Sequence, residues 1–173
     1  DYDSLDRFAI DGQRLILKSG TYGAAGAVYE TENFSNIKVT SIGTSAYANG
    51  PDHFKVEYPD GSVAIYGGST SSRGRNEWAI GLWQNPQGVK ISYSYIKDDT
   101  NNSMRISEIK YGNIVGSEDG ALNSVQFNYI IRDRPEEGYI GGYKYAVNHI
   151  LSNIKIKGSG GYPFRNYYLN YNN

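Results

Sequence analysis

From Val89 to Tyr95 apolar and polar positions alternate, with Val89, Ile91, Tyr93 and Tyr95 set against Lys90, Ser92 and Ser94. A period of two marks a strand with one face turned to a core. Gln87-Gly88 supplies a tight turn before this strand and DDTNNS, residues 98–103, a polar turn after it. Residues 78–112 therefore read as strand, turn, strand, turn, strand, ending in Tyr-Gly.

The same pattern runs through the rest of the chain. Strands are expected at residues 8–10 and 14–18 around Asp11-Gly12, a dipeptide suited to a two-residue hairpin turn. Residues 28–39 hold a further pair, broken near Asn33 or Asn36. Phe54, Val56 and Tyr58 alternate with Lys55 and Glu57, turn at Pro59-Asp60-Gly61, and return over residues 63–66. GGSTSSRGRNE, residues 67–77, has almost no apolar content and reads as a mobile loop. Val125, Phe127, Tyr129 and Ile131 share a face, RDRPEEGYIGG (132–142) reads as a long turn, and residues 164–171 alternate again. The segment YKYAVNHILSNIKI, residues 143–156, fits a helix or a bent strand pair, and its β-branched ending favours strand. Roughly ten to thirteen strands at spacings of about 8–12 residues predict an all-β fold. Antiparallel β-hairpins would form a curved sheet, a sandwich or an open shell, with little or no helix.

Composition narrows this picture. With 173 residues, residues 1–173 are expected to form a single β domain, and the opening at Asp1 instead of Met suggests a processed or excised part of a larger chain. Seventeen tyrosines suit sheets whose outer face is partly wet, and 21 glycines favour turns over helices. A net charge of −1 gives no reason to expect nucleic acid, and no apolar run is long enough to insert into a bilayer. The absence of cysteine removes disulfide and thiolate chemistry.

Candidate chemistry is sparse. His53 and His149 lack neighbours at metal-ligand spacing. Asp98-Asp99, Glu118-Asp119 and Glu136-Glu137 fall in polar turns, where carboxylates are normally solvated and do not face each other across a cleft. Asp98, Asp99 and Asn101 cluster oxygen ligands suited to Ca²⁺ but lack EF-hand spacing. The glycine-rich pieces GTYGAAG and GSGG lack the Lys-Ser/Thr ending of a phosphate loop. Arg73 and Arg75 read as solvated loop cations, and Trp78 and Trp83 fit either sheet packing or a sugar-stacking platform. No catalytic, cofactor-binding or metal-ligating residue is assigned, and no cofactor is expected.

In order along the chain, DGQRL (11–15), GPDHFKVEYPDGSVAIYG (50–67), the hairpins of residues 78–112, VQFNY followed by Arg132 and Asp133, LSNIKIKG and RNYYLNY (165–171) form a recognisable series. It resembles the N-terminal region shared by SpvB-type virulence proteins and the B components of insecticidal Tc toxin complexes, relatives of Rhs/YD-repeat proteins. The sequence departs from that repeat where Asn85 and Gly88-Val89 replace an Asp and a Gly-Asn pair. The resemblance implies a wall segment of a hollow β-sheet shell around a toxic C-terminal enzyme, or a region preceding an ADP-ribosyltransferase domain.

The expected function is thus a non-catalytic structural module of a secreted toxin-delivery protein. Its partners would be other parts of the same toxin chain or toxin-complex subunits, with self-association through exposed sheet edges. A secreted carbohydrate-binding β-sandwich is the alternative, and a small hydrolase the third reading.

Overall fold

The computed structural model describes residues 5–44, 50–113 and 122–171. Among them the chain is all-β, with strands β1 (Ala9–Ile10), β2 (Gln13–Ser19), β3 (Val28–Thr31), β4 (Lys38–Ile42), β5 (His53–Glu57), β6 (Val63–Tyr66), β7 (Ile80–Gln84), β8 (Lys90–Asp98), β9 (Ser103–Tyr111), β10 (Asn123–Ile140), β11 (Tyr143–Lys157) and β12 (Pro163–Tyr168). The helical content is confined to single 3-10 turns at Thr70–Ser72 and Ser159–Gly161. The strands fall into two compact units, Asp1–Pro86 and Gln87–Asn173.

In the first unit, β1 to β7 form a meander in which each strand pairs antiparallel with its neighbours in sequence. Asp11 and Gly12 both take positive φ, 49° and 75°, as a two-residue hairpin turn requires. Asn36, also at positive φ, ends the break between β3 and β4. Alternation on β5 buries Phe54 and Val56, which join Leu15, Ala27, Tyr29, Val39 and Ala64 in one core cluster. Its floor is aromatic: Phe8 stacks on Tyr22 at 5.3 Å and meets Phe54 and Trp78 edge-on at 5.1 and 5.5 Å. The tyrosines pack their rings and still satisfy their hydroxyls, since Tyr22 Oη accepts from Phe8 N–H at 2.6 Å and Tyr29 Oη from Gly23 N–H at 2.8 Å.

The second unit is built differently. Strands β8 to β12 again pair with sequence neighbours, but among its described residues only Ala146 is buried. The segment at residues 132–142, expected as a long turn, is instead largely strand. β10 runs to Ile140, and only Gly141 and Gly142, both at positive φ, make the turn into β11. The polar run is accommodated by a wide irregularity: Ile131 faces His149 and Glu136 faces Val147, so residues 132–135 oppose Asn148 alone. Pro135 lies inside that bulge, where a missing N–H breaks no ladder bond. The segment at residues 143–156 is one continuous strand, not a bent pair.

The far end of this hairpin is tied back to the β8–β9 turn. Ala146 N–H donates to Asn101 O at 2.8 Å, and Asn102 Nδ2 donates to Lys144 O at 2.7 Å.

The aromatic floor sets a sharp steric test. A Cβ on Gly67 would lie 2.4 Å from Trp78 Cδ1, and its φ is +85°. Gly12 has a similar φ but no atom within 4 Å of such a Cβ. Gly67→Ala is expected to cost about 2–4 kcal/mol and Gly12→Ala about 1 kcal/mol, read as thermal midpoints by circular dichroism. Equal losses would contradict the packing described.

Candidate functional site

The polar stretch at residues 67–77 is bonded to the rest of its unit. Ser69 caps the turn at Thr70–Ser72 reciprocally: its Oγ accepts from Ser72 N–H at 3.2 Å, and Ser69 N–H donates to Ser72 Oγ at 3.0 Å. Beyond the cap, Arg73 is 7% exposed. Its Nη1 donates to the Asp52 carbonyl at 3.0 Å and to the Asp52 carboxylate. The expectation of a solvated Arg73 is therefore corrected. A guanidinium gives up its water when a carboxylate and a carbonyl converge on it. Arg75 is exposed.

Asp52 holds the junction together from the other side. Its second carboxylate oxygen lies 2.9 Å from His53 Nδ1. That hydrogen bond first, and the Arg73 guanidinium next, hold the Asp52 carboxyl below its ordinary value of 3.8. Directly before it, Pro51 O accepts from Trp78 Nε1 at 3.1 Å, and Trp78 packs edge-on against Phe54 at 5.2 Å. With Phe8 also against its ring, Trp78 is half-buried in the aromatic floor; Trp83 packs against the core cluster from β7.

Asp52 is the residue the sequence did not single out. Ser69 and Ser72 have the spacing of a reciprocal cap, which is a local signal. Nothing local indicates that Arg73 reaches back 21 residues.

The remaining candidates are each engaged within their own hairpin. Asp98 accepts from Asn101 N–H at 3.1 Å and Asn101 Nδ2 at 2.8 Å, and these bonds lower its pKa. Asp99 pairs with Lys97 at 2.7 Å. The cluster considered for Ca²⁺ thus serves as a turn brace, holding the Asn101–Asn102 corner that bonds to β11. Glu136 pairs with Arg132 at 2.7 Å across the bulge and Glu137 with Lys144 at 2.9 Å across the hairpin. His149 Nδ1 lies 2.6 Å from Asn148 Oδ1. Glu118-Asp119 lies outside the described residues. Among the described residues no three His, Cys, Asp or Glu side chains gather where they would hold a metal ion. No helix there is long and apolar enough to cross a membrane.

No protein-family model matches the sequence, and no curated protein matches it. Solved structures do share the fold. The chain is similar to the N-terminal domain of effector protein SpvB from Salmonella typhimurium strain LT2, with a TM-score of 0.67 at 16% identity over 86% of this chain and 68% of that one. A chain of the TcdB2–TccC3–Cdc42 crystal structure matches with a TM-score of 0.69 at 14% identity, covering 94% of this chain and 11% of that one. A chain of the Photorhabdus luminescens Tc holotoxin pore matches at 0.66 and 14%, over 85% of this chain and 10% of its own. The chain therefore spans about a tenth of the Tc chains it matches. The architecture is that of the SpvB and Tc toxin-related region, as the ordered hairpins of the sequence imply.

The Asp52–Arg73 pair has a signed pH dependence. Because the folded pKa of Asp52 is depressed, its contribution is fully present above the ordinary value of 3.8 and is lost as pH falls through the folded value. Thermal midpoints should fall on that acid limb, and Arg73→Met should flatten part of the fall, the share from His53 remaining, while costing about 1–3 kcal/mol at neutral pH. An unchanged acid limb in the variant would refute the assignment.

At the second unit, Asp98→Ala is expected to cost about 1 kcal/mol and to speed amide exchange at Ala146, measured by NMR.

Proposed function

We propose that this chain is a non-catalytic structural module of a secreted bacterial toxin-delivery protein, contributing strands to a β-sheet wall that encloses or carries a C-terminal toxic domain. The observation that carries the reading is the fold shared with SpvB and with Tc toxin chains, matched in order along nearly the whole length. The second unit supports it physically. Its five strands, in which only Ala146 is buried, form a thin layer, as befits a wall with a surface on each side. Asp98, Glu136 and Glu137 support it too, being engaged in local pairs that brace turns and bulges. Other parts of the same toxin chain, or other toxin-complex subunits, are the partners this reading assigns.

The test is the coding sequence downstream of residue 173, with purification of the whole product. Further β-hairpins followed by a separate toxic domain are expected, with toxicity retained by that domain and absent from residues 1–173. A stop codon shortly after Asn173, or toxicity in the isolated 173-residue chain, would sink the proposal.

A further inference from the structure

Two Asp-Gly dipeptides lie among the described residues, Asp11-Gly12 and Asp60-Gly61, each in the turn of a hairpin. Asp-Gly carries a chemistry that most other pairs resist. The backbone nitrogen after the aspartate can attack the side-chain carboxyl carbon, because the two groups are held close within one chain and glycine has no side chain to shield the nitrogen. A C–N bond forms and a C–O bond breaks, the hydroxyl leaves with the amide proton as water, and a five-membered imide results. Water then opens that ring. Addition at the side-chain carbonyl restores aspartate. Addition at the main-chain carbonyl leaves isoaspartate, whose backbone runs through the side-chain carboxyl and is one methylene longer.

The fold treats the two sites differently. At the second turn both reacting groups are engaged. Asp60 Oδ1 accepts from Ser62 N–H at 2.9 Å and from Ser62 Oγ at 2.7 Å, and these bonds hold the carboxyl below its ordinary value of 3.8. A carboxylate kept ionised in this way resists a nucleophile. Gly61 N–H donates to Tyr58 O at 3.0 Å, and Pro86 Cγ lies 3.1 Å from where a Cβ on Gly61 would sit.

Asp11 and Gly12 are both exposed, and among the described residues neither the Asp11 carboxylate nor the Gly12 N–H has a hydrogen-bonding partner. A Cβ on Gly12 would meet no atom within 4 Å, so the approach to its nitrogen is open. Asp11 sits at φ 49°, where an L side chain is strained, and turning its backbone towards ring closure leaves that strain behind. From this contrast we infer that Asp11 is a site of spontaneous isomerisation to isoaspartate, directed by the fold, and that the turn at Asp60 withstands the same reaction.

The change reaches the core. β1 pairs with β2 through Ala9–Arg14 and Ile10–Gln13, and just before it Phe8 O accepts from Leu15 N–H at 2.8 Å while Phe8 N–H donates to Tyr22 Oη. An extra methylene at residue 11 breaks the one-to-one register of a two-residue hairpin, which withdraws Phe8 from both bonds and from the aromatic floor. The inference goes beyond the wall reading and does not depend on it.

The test is prolonged incubation of the folded chain at neutral pH, with isoaspartate located by electron-transfer mass spectrometry of its peptides. Residue 11 should accumulate isoaspartate at least about tenfold faster than residue 60, where hydrogen bonds must first be broken. In urea, where both turns are unfolded, the two rates should come together. Asp11→Asn, which also suits the left-handed conformation, should reach the same product faster, losing ammonia in place of water. Amide exchange at Leu15 should quicken in step with the isoaspartate content. Equal rates at residues 11 and 60 in the folded chain, a ratio unchanged by urea, an Asp11→Asn variant that forms no isoaspartate, or unchanged Leu15 exchange in the isomerised chain would overturn the inference.

Discussion

Backbone hydrogen bonding between strands adjacent in sequence is the constraint on which both units rest. Each paired strand finds the partners for its N–H and C=O groups a turn away, so the sheet assembles without any crossover connection. A deep core then becomes optional. The first unit adds one, with its aromatic floor and buried valines, and the second makes do with half-buried side chains on a thin sheet. The two units therefore combine one style of pairing with very different amounts of buried apolar surface.

Where the first unit does have a core, a few contacts distant in sequence secure it. Trp78 meets Phe8 and Phe54, donates its indole N–H to Pro51 O, and leaves Gly67 no room for a side chain. Arg73 closes the same corner through Asp52. Removing water from this pair is costly unless its polar atoms find partners; the Asp52 carboxylate and carbonyl supply them for Arg73 Nη1, while Arg73 Nε is buried without one. The corner is thus held by apolar packing below and by a charged pair above.

These contacts also mark how far the sequence is legible. Period-two alternation and turn dipeptides locate β5, β6, β8 and β9 because each signal lies within a few residues of the strand it defines. The burial of Arg73 is invisible for the opposite reason: its partner lies 21 residues away, and the intervening polar residues look like open loop. The β10–β11 hairpin fails in another way. Its true turn, Gly141-Gly142, is a plain signal, but the preceding charges and Pro135 resemble a loop until the bulge and the pairs Arg132–Glu136 and Glu137–Lys144 are known. The Asp98–Asn101 cluster suggested a cation because oxygen atoms gather there; in the fold the amide hydrogens of Asn101 occupy them. Local chemistry was readable, and the identity of the partner was not. The shared fold with SpvB and Tc chains at 14–16% identity has the same cause, since hairpin grammar survives when individual residues do not.

The order of strand pairing also determines how the sheet comes apart. A pull that draws the C-terminal end of β12 away from β11 loads their bonds one after another, like a zip opened from its tab, because the two strands pair as neighbours in sequence. A sheet with crossovers would have to shear many bonds together. The tie between Asn101 and Ala146 is where such peeling would next meet resistance, because that bond joins β11 to a turn more than forty residues earlier. Mechanical strength in the second unit is therefore concentrated in a strap and not spread along its strands.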